Sequence, residues 1–479
     1  MNFQQYVTLQ QRRLFLRHSA CSLGAIALGS LITEEGRSAA SHQQPSPQLV
    51  SHFKPTAKNV IFVFMSGAPS QLDLFEPKPK LTQLHGEPVP ASLLKGLNDP
   101  LIEGSAAVMA SPRTFKKYGE CGMDFSDFLP NLGTQADNLC MVRSLVTDIS
   151  NHHPAQQLMN CGVPRFGHPS MGSWVTYGLG SEASDLPGFV VMLSDSGSGV
   201  DGGSSLWTNG FLPSSYRGVT FRGQGDPILH LSSPPGVGPR TQRARLDAIG
   251  NLNRRHFEAT GDPEIASRIA SYELAFRMQT AGPELIDLSQ EMAATRALYG
   301  LDNETTQPFG TNCLLARRLV ERGVRFVQLY HSTWDDHADL NKKLKTNCDM
   351  TDLPMAGLLK DLKQRGLLDE TLVIWGGEFG RAPMNEVRRG NAAGREGRDH
   401  HRFAFTMLLA GGGIRPGHIV GETDDFGYHV TQDKLHVHDL QATILHCLGM
   451  DHKQLTYRHQ GRDFRLTDVA GEVKHQLLA

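Results

Sequence analysis

The sequence lacks an excess of charge of either sign. Its 479 residues include 47 Lys and Arg against 49 Asp and Glu, which gives a formal net charge of -2 at pH 7. No basic patch with interleaved aromatic residues is present, and this argues against a nucleic-acid partner. The hydrophobic and charged fractions of 39% and 20% are typical of a globular protein with a sizeable core.

Cysteine is scarce, and the seven cysteines are scattered along the chain. No Cys-x-x-Cys pair occurs, which excludes a zinc finger and a disulfide-rich scaffold. An oxidising destination would still permit a bridge or two. Apart from Cys21, the candidates are Cys121, Cys140, Cys161, Cys313, Cys348 and Cys447.

The N-terminal apolar run, residues 21–32, is too short for a transmembrane anchor, which needs about 20 apolar residues. It follows Arg12-Arg13-Leu14-Phe15 and precedes Ser38-Ala39-Ala40, a small-residue cleavage site. Paired arginines before a mild Gly/Ala-rich run are typical of a twin-arginine signal. We therefore predict a signal peptide over residues 1–40, the twin-arginine translocase as a partner, and a periplasmic or extracellular location.

Continuous apolar, β-branched segments recur in the rest of the chain and predict buried strands. The clearest is 59–66, which ends in Gly67-Ala68-Pro69. Helical patterns lie between several of these segments, so we predict an α/β fold with a mainly parallel sheet flanked by helices. The other predicted strands are 139–144, 188–193, 324–330, 371–376 and 405–410, and predicted helices include 310–322, 354–365 and 439–448.

The predicted organisation has a single large domain. Residues 41–57 are polar and contain proline, which favours a linker. Residues 58–470 are predicted to form one α/β domain of the catalytic type, with a helical insertion at about 263–300. Residues 471–479 are predicted to be a C-terminal tail.

Side chains of the kind that bind metals follow the predicted strands. Because the carboxyl ends of parallel strands meet at one edge of a sheet, we expect these side chains to converge there. His400 and His401 precede the strand at 405–410, so the long loop at 385–398 must bring them to the same edge. The post-strand candidates are Asp73, His152, Asp335, His337, Glu378 and Arg381.

Several of these residues are predicted metal ligands. Asp335 and His337 are two apart in a loop, so both can face one ion, although Asp336 competes with Asp335 and a hydrogen-bonded turn is the alternative. Glu378 is a candidate ligand or base, or else a capping carboxylate. Asp73, His400 and His401 complete the predicted ligands, with an Asx turn as the alternative for Asp73. Histidine-rich ligation favours zinc or manganese, whereas carboxylate-rich ligation would favour calcium.

Two residues are candidates for contact with an anionic substrate. Arg381 could bind an anion through its bidentate fork, or could form a structural ion pair with Glu378. His152 lies two residues before Pro154, where a helix is predicted to begin, and a helix start can position an anion or a nucleophile. Ser150 is predicted to be an N-cap rather than the nucleophile.

Five motifs carry a resemblance to a known family. They are Phe64-Met-Ser-Gly-Ala-Pro-Ser-Gln-Leu-Asp73, Trp334-Asp-Asp-His337, Gly377-Glu-Phe-Gly-Arg381, Gly397-Arg-Asp-His-His401 and Gly461-Arg-Asp-Phe-Arg-Leu-Thr-Asp468. These motifs resemble those of an exported bacterial family, domain of unknown function 1501, whose members are often labelled sulfatases. The order of the polar clusters is also similar to that in the alkaline phosphatase and sulfatase superfamily. This resemblance implies a fold of that type and a site for two metals.

The sequence departs from the sulfatase pattern at three places. The Cys/Ser-x-Pro-x-Arg string that matures into formylglycine does not occur. Ser66-Gly67 stands where paired acidic residues are usual, and Glu378-Phe379 stands where an acidic residue and a histidine are usual.

We therefore predict an exported, metal-dependent, sulfatase-like hydrolase of phosphate or sulfate esters. Its substrate would be a small anionic ester or a sulfated or phosphorylated glycan. The alternative is a non-catalytic module that keeps a metal for stability and binds a glycan or an exported partner protein. A metal-dependent isomerase or mutase is a third reading, since one fold can support several chemistries.

Overall fold

The continuous apolar segments form the strands at the centre of the structure. The computed structural model describes residues 51–94, 106–194, 200–222, 228, 236–386 and 396–479. The strands are β1 (Asn59–Met65), β2 (Phe115–Tyr118), β3 (Met123–Ser126), β4 (Leu139–Val146), β5 (Phe189–Leu193), β6 (Val219–Arg222), β7 (Phe326–His331), β8 (Thr371–Gly376), β9 (Gly380–Asn385), β10 (Arg398–His401), β11 (Phe405–Ala410), β12 (His418–Val420), β13 (Glu422–Thr423), β14 (Val430–Gln432), β15 (Leu435–His436), β16 (Tyr457–His459) and β17 (Arg462–Phe464).

The helices lie between these strands. They are α1 (Gln71–Leu74), α2 (Pro79–Gln83), α3 (Ala91–Leu94), α4 (Pro130–Gly133), α5 (His152–Cys161), α6 (Met171–Leu179), α7 (Pro239–Thr260), α8 (Pro263–Ile286), α9 (Ala293–Leu298), α10 (Gln307–Glu321), α11 (Leu340–Gln364) and α12 (Val437–Cys447). The helical segment predicted at about 263–300 is thus preceded by α7, and Pro283 lies within the last turn of α8. None of the helices in the described residues is both long and apolar enough to cross a membrane.

A central sheet of nine strands organises the described part of the chain. Its order is β12-β4-β11-β8-β1-β7-β5-β6, and β15 also pairs with β4. Strand β11 runs antiparallel to β4 and β8, whereas the other pairs in this sheet are parallel. The predicted α/β fold with a mainly parallel sheet is therefore confirmed.

Both faces of the sheet are covered by apolar side chains, which explains the continuous apolar sequence of the central strand. In β1, Val63 faces one core cluster together with side chains of α10 and α11. The neighbouring Phe62 faces the other cluster, with side chains of α5, α6 and α12. Fully burying side chains of this size stabilises the fold by roughly 1.5–3 kcal/mol each. A strand with two buried faces needs apolar residues at every position.

The two ends of the described chain pack against the domain. Thr56 and Ala57, in the segment predicted as a linker, both donate backbone hydrogen bonds to the carbonyl of Cys447. In the segment predicted as a tail, Leu477 is buried and the backbone N–H of Ala479 donates to Gly413. The described residues between 51 and 479 belong to one compact unit. The predicted signal peptide, 1–40, and the linker residues up to 50 lie outside the described residues.

The six cysteines of the described residues are free, and five of them are buried. Burial raises the pKa of Cys140 and of Cys161 to about 12, so these thiols stay protonated and unreactive.

We expect a thiol reagent to modify one cysteine, Cys121, in native protein comprising residues 41–479, and five more after denaturation. Absorbance of the released thiolate measures this, and Cys121→Ser should remove the native reaction. A second thiol that reacts in native protein would contradict the buried arrangement.

Candidate metal centre

Four side chains meet beyond the carboxyl edge of the sheet. His152 is the first residue of α5, which follows β4, while Asp335 and His337 lie in the loop after β7. His400 lies in β10, shortly before β11. The potential ligand atoms of these four residues all lie within 4.8 Å of one another. Because β11 is antiparallel, its start lies where the parallel strands end, so strand direction rather than the long loop brings His400 to this edge.

Three imidazoles surround one carboxylate oxygen in this cluster. The Oδ1 atom of Asp335 lies 3.1 Å from His152 Nε2, 2.8 Å from His337 Nε2 and 3.3 Å from His400 Nε2. In a tetrahedral zinc site with bonds of about 2.0–2.1 Å, ligand atoms are separated by about 3.3 Å. The three distances from Asp335 Oδ1 are close to this value, and all four atoms lie within 4.8 Å of one another.

The other ring nitrogen of two imidazoles has a well-defined acceptor. His152 Nδ1 lies 2.6 Å from Glu378 Oε1, and His400 Nδ1 lies 2.6 Å from the carbonyl oxygen of Ser150. A carbonyl can accept but cannot donate, so the proton of His400 is on Nδ1. Acceptors of this kind fix the tautomer of metal-binding histidines and direct Nε2 towards the ion.

The third imidazole, His337, has the same arrangement and adjoins a second acidic group. Its Nδ1 atom is hydrogen-bonded to Glu386 Oε2 and lies 4.0 Å from Asp399 Oδ1. His337, Glu386 and Asp399 also bring ligand atoms within 4.8 Å of one another. Carboxylates thus lie directly behind the first cluster, on the side of His337.

The buried Nε2 atom of His152 tests whether these residues fit a cation. No hydrogen-bond partner of acceptable geometry for this atom lies in the part of the chain that the structure describes, although Asp335 Oδ1 is 3.1 Å away. His152 Nε2 and Asp335 Oδ1 are close, but their angle does not suit a hydrogen bond. This is expected when both atoms are directed at the same metal position. Imidazole and carboxylate are both ligands of divalent transition metals. The donor set therefore fits such an ion.

Charge within the cluster is strongly coupled. Partial burial alone would raise the pKa of Asp335, but the three imidazoles and the Arg381 guanidinium outweigh it and hold that pKa well below its usual range. Burial alone would lower the pKa of His152, whereas Asp335 and Glu378 raise it to about 9. A proton and a metal cation consequently compete for His152 Nε2.

The loop that carries Asp335 is shaped by two unusual backbone positions. Gly67 has a φ of +106°, and a Cβ atom there would lie 2.6 Å from the backbone nitrogen of Asp335. Thr333 has a φ of +76°, which is rare for a β-branched residue and costs about 1–3 kcal/mol. Asn347 of α11 holds it, donating to the Thr333 carbonyl at 2.8 Å and accepting from its hydroxyl at 2.9 Å. Strain of this kind persists where the surroundings fix a functional loop.

Glu378 does not reach the cluster as a ligand. Its fully buried carboxylate accepts hydrogen bonds from the backbone N–H of Gly67 at 3.1 Å and from Gln156 Nε2 at 3.0 Å, besides contacting His152. It lies behind His152, on the side away from Asp335. We therefore expect Glu378 to act as a positioning residue that orients the His152 ring rather than as a ligand.

Replacing Glu378 with glutamine should weaken metal binding about 10- to 100-fold, the usual cost of losing the partner of a metal-binding histidine. Glutamine keeps the shape of the Glu378 side chain, but its neutral amide replaces the carboxylate that accepts from His152 Nδ1. His152 is therefore a poorer metal ligand in this variant. Competition with a chelating dye measures the affinity, and Glu370→Gln, on the surface, is the control. Complete loss of the ion would indicate direct ligation instead, and unchanged affinity would contradict a positioning role.

Arg381 is not available to an anionic substrate, in contrast to the prediction. Its guanidinium is fully buried, with Nη2 lying 2.6 Å from Asp335 Oδ1. Nε donates to the carbonyl of Ala68 at 3.0 Å and Nη1 to that of Arg398 at 3.0 Å, while Nη2 also contacts the carbonyl of Gly67. All three nitrogens are engaged, so Arg381 joins the loops and fixes Asp335.

Two further predicted ligands lie outside the cluster. Asp73 is buried against Arg398, whose Nε atom lies 2.7 Å from its Oδ2. His401 is buried with Nε2 2.6 Å from the carbonyl of Tyr428, and burial lowers the pKa of His401 to about 4. His401 faces inward because it is adjacent to His400 in β10, and neighbouring side chains of a strand point to opposite sides.

Of the two neighbouring carboxylates, Asp335 and Asp336, Asp335 is the candidate metal ligand. Asp335 faces the cluster with 42% of its side chain exposed, whereas Asp336 is 1% exposed and its carboxylate has no hydrogen-bond partner in the described residues. Burial raises the pKa of Asp336 to about 7. Glu386, which contacts His337, was not predicted, because no strand-end pattern marks it in the sequence.

The fold and the cluster define a mainly parallel α/β protein with a candidate metal centre of three histidines and one aspartate. The chain belongs to the family described as protein of unknown function (DUF1501), whose model matches residues 57–478. The comparison with curated proteins finds no significant match.

The chain is distantly similar to several solved structures. Lipoteichoic acid synthase LtaP from Listeria monocytogenes shares 9% identity with a TM-score of 0.38, over 87% of this chain and 76% of that one. Alkaline phosphatase from the Antarctic bacterium TAB5 shares 12% with a TM-score of 0.31, over 75% and 92%. The sulfatase PsFucS1 from Pseudoalteromonas sp. shares 12% with a TM-score of 0.34, over 83% and 68%.

Proposed function

We propose that this protein is an exported metal-dependent hydrolase of phosphate or sulfate esters. The observation that carries the proposal is the convergence of three Nε2 atoms and Asp335 Oδ1 at an exposed edge of the sheet. The side chain of Asp335 is partly exposed, so an ion held there would be accessible to a substrate, as catalytic ions are and closed structural ions are not. Export rests on the twin-arginine pattern within residues 1–40.

The ligand set favours zinc or manganese over calcium, because three of its four atoms are imidazole nitrogens. The adjoining carboxylates Glu386 and Asp399 lie on the Nδ1 side of His337. Because Glu386 accepts a hydrogen bond from this nitrogen, the second group serves to orient His337 towards the first ion.

A bound divalent metal would supply Lewis acidity to an ester oxygen. The chain itself holds the proton of His152 at Nδ1 through Glu378, and that of His400 at Nδ1 through the Ser150 carbonyl. Arg381 fixes Asp335 in the direction of the three rings. The first turn of α5 begins at His152, and the N–H groups of a helix start favour a negatively charged ester.

The test is hydrolysis of p-nitrophenyl phosphate and p-nitrophenyl sulfate by protein that is depleted with a chelator and then given zinc, manganese or calcium separately. We expect one ester class to be cleaved with zinc or manganese and not after depletion. His400→Ala should abolish this activity, whereas His256→Ala, an exposed position on α7, should retain it. Stoichiometric metal without hydrolysis of any ester would instead favour the non-catalytic binding module.

A further inference from the structure

A cavity of about 520 Å³ lies beside the candidate metal centre, and we call it the Arg402 cavity. The segment 146–150 separates the two. On one side, the carbonyl of Ser150 accepts from His400 Nδ1. On the other, the carbonyl of Asp148 accepts from Arg402 Nη1 at 2.8 Å. The cavity is lined by residues that include Thr147, Asp148, Arg402, Phe403, Lys434 and His436.

Two cationic side chains face this cavity. Lys434 is exposed and forms no ion pair with any residue that the structure describes. The guanidinium carbon of Arg402 lies 4.9 Å from the centre of the Phe403 ring and forms a cation–π contact with it. Beyond the bond from Nη1 to Asp148, the described residues offer the Arg402 nitrogens no further acceptor. The ammonium group of Lys434 and the remaining N–H groups of Arg402 are therefore available to a ligand.

The two carboxylates of the wall are engaged elsewhere. Asp439 lies 3.2 Å from Lys474 Nζ and accepts the backbone N–H of His436 at the start of α12. Asp148 Oδ2 lies 3.2 Å from His436 Nε2. Asp439 is thereby turned towards the protein, whereas the side chain of Asp148 stays 76% exposed beside His436. Arg402 and Lys434 together carry two positive charges against the one negative charge of Asp148 at this cavity.

One residue in the wall of the cavity, Thr147, has a buried hydroxyl. Thr147 is 5% exposed, and its Oγ1 atom has no hydrogen-bond partner in the described part of the chain. Its backbone is fixed, because the N–H of Thr147 donates to the carbonyl of Arg402. Buried hydroxyls in proteins are nearly always paired with protein or with a bound molecule. This atom has almost no exposed surface, so a ligand oxygen in the cavity reaches it only after the Thr147 side chain rotates.

We propose that the Arg402 cavity binds a second oxyanion, a phosphate or sulfate group, on the same substrate whose ester is cleaved at the metal centre. Arg402 and Lys434 would supply charge-assisted hydrogen bonds to it. The substrate is then at least doubly anionic. The assignment of the oxyanion to a substrate rests on the proposed function, whereas its binding in the cavity does not.

Binding of inorganic phosphate and inorganic sulfate, measured by isothermal titration calorimetry on the purified metal-loaded protein, tests the cavity. We expect Arg402→Gln and Lys434→Gln each to weaken binding of at least one anion about tenfold. Lys453→Gln and Arg458→Gln, exposed cations elsewhere, should leave it unchanged. Lys434 forms no side-chain hydrogen bond or ion pair with the described residues, so loss of binding in Lys434→Gln would not reflect misfolding.

Asp335→Asn separates the cavity from the metal centre. Anion binding that persists in this variant and is lost in Lys434→Gln supports the proposal. Binding lost in Asp335→Asn but unchanged in Lys434→Gln places the anion at the metal centre and overturns it, as does the absence of binding by the parent. If no ester is hydrolysed, the proposed function fails, and the calorimetric result alone still decides the cavity.

Discussion

A double variant with Asp335→Asn and His337→Ala is expected to lose the metal that the parent protein retains. The change removes the His337 nitrogen and the negative charge on Asp335, and so weakens two of the four potential ligands. Loss of an outer partner alone typically costs about 10- to 100-fold in affinity, so loss of two direct ligands should cost more. Mass spectrometry of the metal content of both proteins, purified without chelator, measures the effect.

The matched control is Asp369→Asn with His256→Ala, which makes the same chemical changes at two exposed positions. It should keep near-stoichiometric metal, and circular dichroism should show that all three proteins are folded. Metal retained by the Asp335→Asn, His337→Ala variant would place the site elsewhere. A parent that binds no metal even after reconstitution would contradict the hydrolase proposal and favour a binding module.

The second large effect is expected from Arg398→Met, which leaves the carboxylate of Asp73 buried without its partner. Arg398 contacts Asp73 through Nε at 2.7 Å and through Nη2 at 3.3 Å. Its Nη1 atom also donates to the carbonyls of Met109 and Ala382, at 3.1 Å each. Breaking a buried ion pair by removing one member typically destabilises a protein by about 3–5 kcal/mol. Denaturant-induced unfolding measures this loss.

Arg415→Met, at an exposed position, is the control and should change the free energy of unfolding by no more than about 0.5 kcal/mol. If Arg398→Met is as stable as this control, the buried pair does not stabilise the fold. Asp73→Asn should also destabilise, because the guanidinium of Arg398 then loses its counter-charge.

The same pair predicts a pH dependence. Burial alone would raise the pKa of Asp73, but Arg398 and the hydroxyl of Ser70 outweigh it and lower the pKa below its ordinary value. The folded state therefore binds fewer protons here than the unfolded state in the acid range. The stabilisation by the pair is present above the unfolded pKa of about 3.9 and is lost as the pH falls through the lower folded value. The difference in stability between the parent and Asp73→Asn should shrink accordingly.

The buried strands were predictable because both of their faces lie in the core. Continuous apolar runs predicted strands at 59–66, 371–376 and 405–410, and the structure has them at Asn59–Met65, Thr371–Gly376 and Phe405–Ala410. The edge strands β12 and β15 are short and partly polar, so no such pattern marks them. Strand direction was not predictable either, since the same apolar run suits a parallel or an antiparallel neighbour.

The site was predictable in its location more than in the roles of its residues. Strand ends marked His152, Asp335 and His337, and the structure brings them together with His400. Whether a charged side chain near such an edge faces solvent or the interior depends on packing between distant segments. Arg381 and Glu378 lie under the cluster for that reason, and their sequence neighbours carry no sign of it. That the four residues of the cluster, His152, Asp335, His337 and His400, bind a metal remains a prediction.

The pairing of β1 has a consequence for the order in which the molecule is assembled. This strand is synthesised first among those of the sheet, yet its two neighbours begin at Phe326 and Thr371. During synthesis this buried strand therefore has both edges unpaired until most of the chain has left the ribosome, which invites association with other chains. His400 emerges later still, so the four side chains of the candidate metal centre come together only in a nearly complete domain.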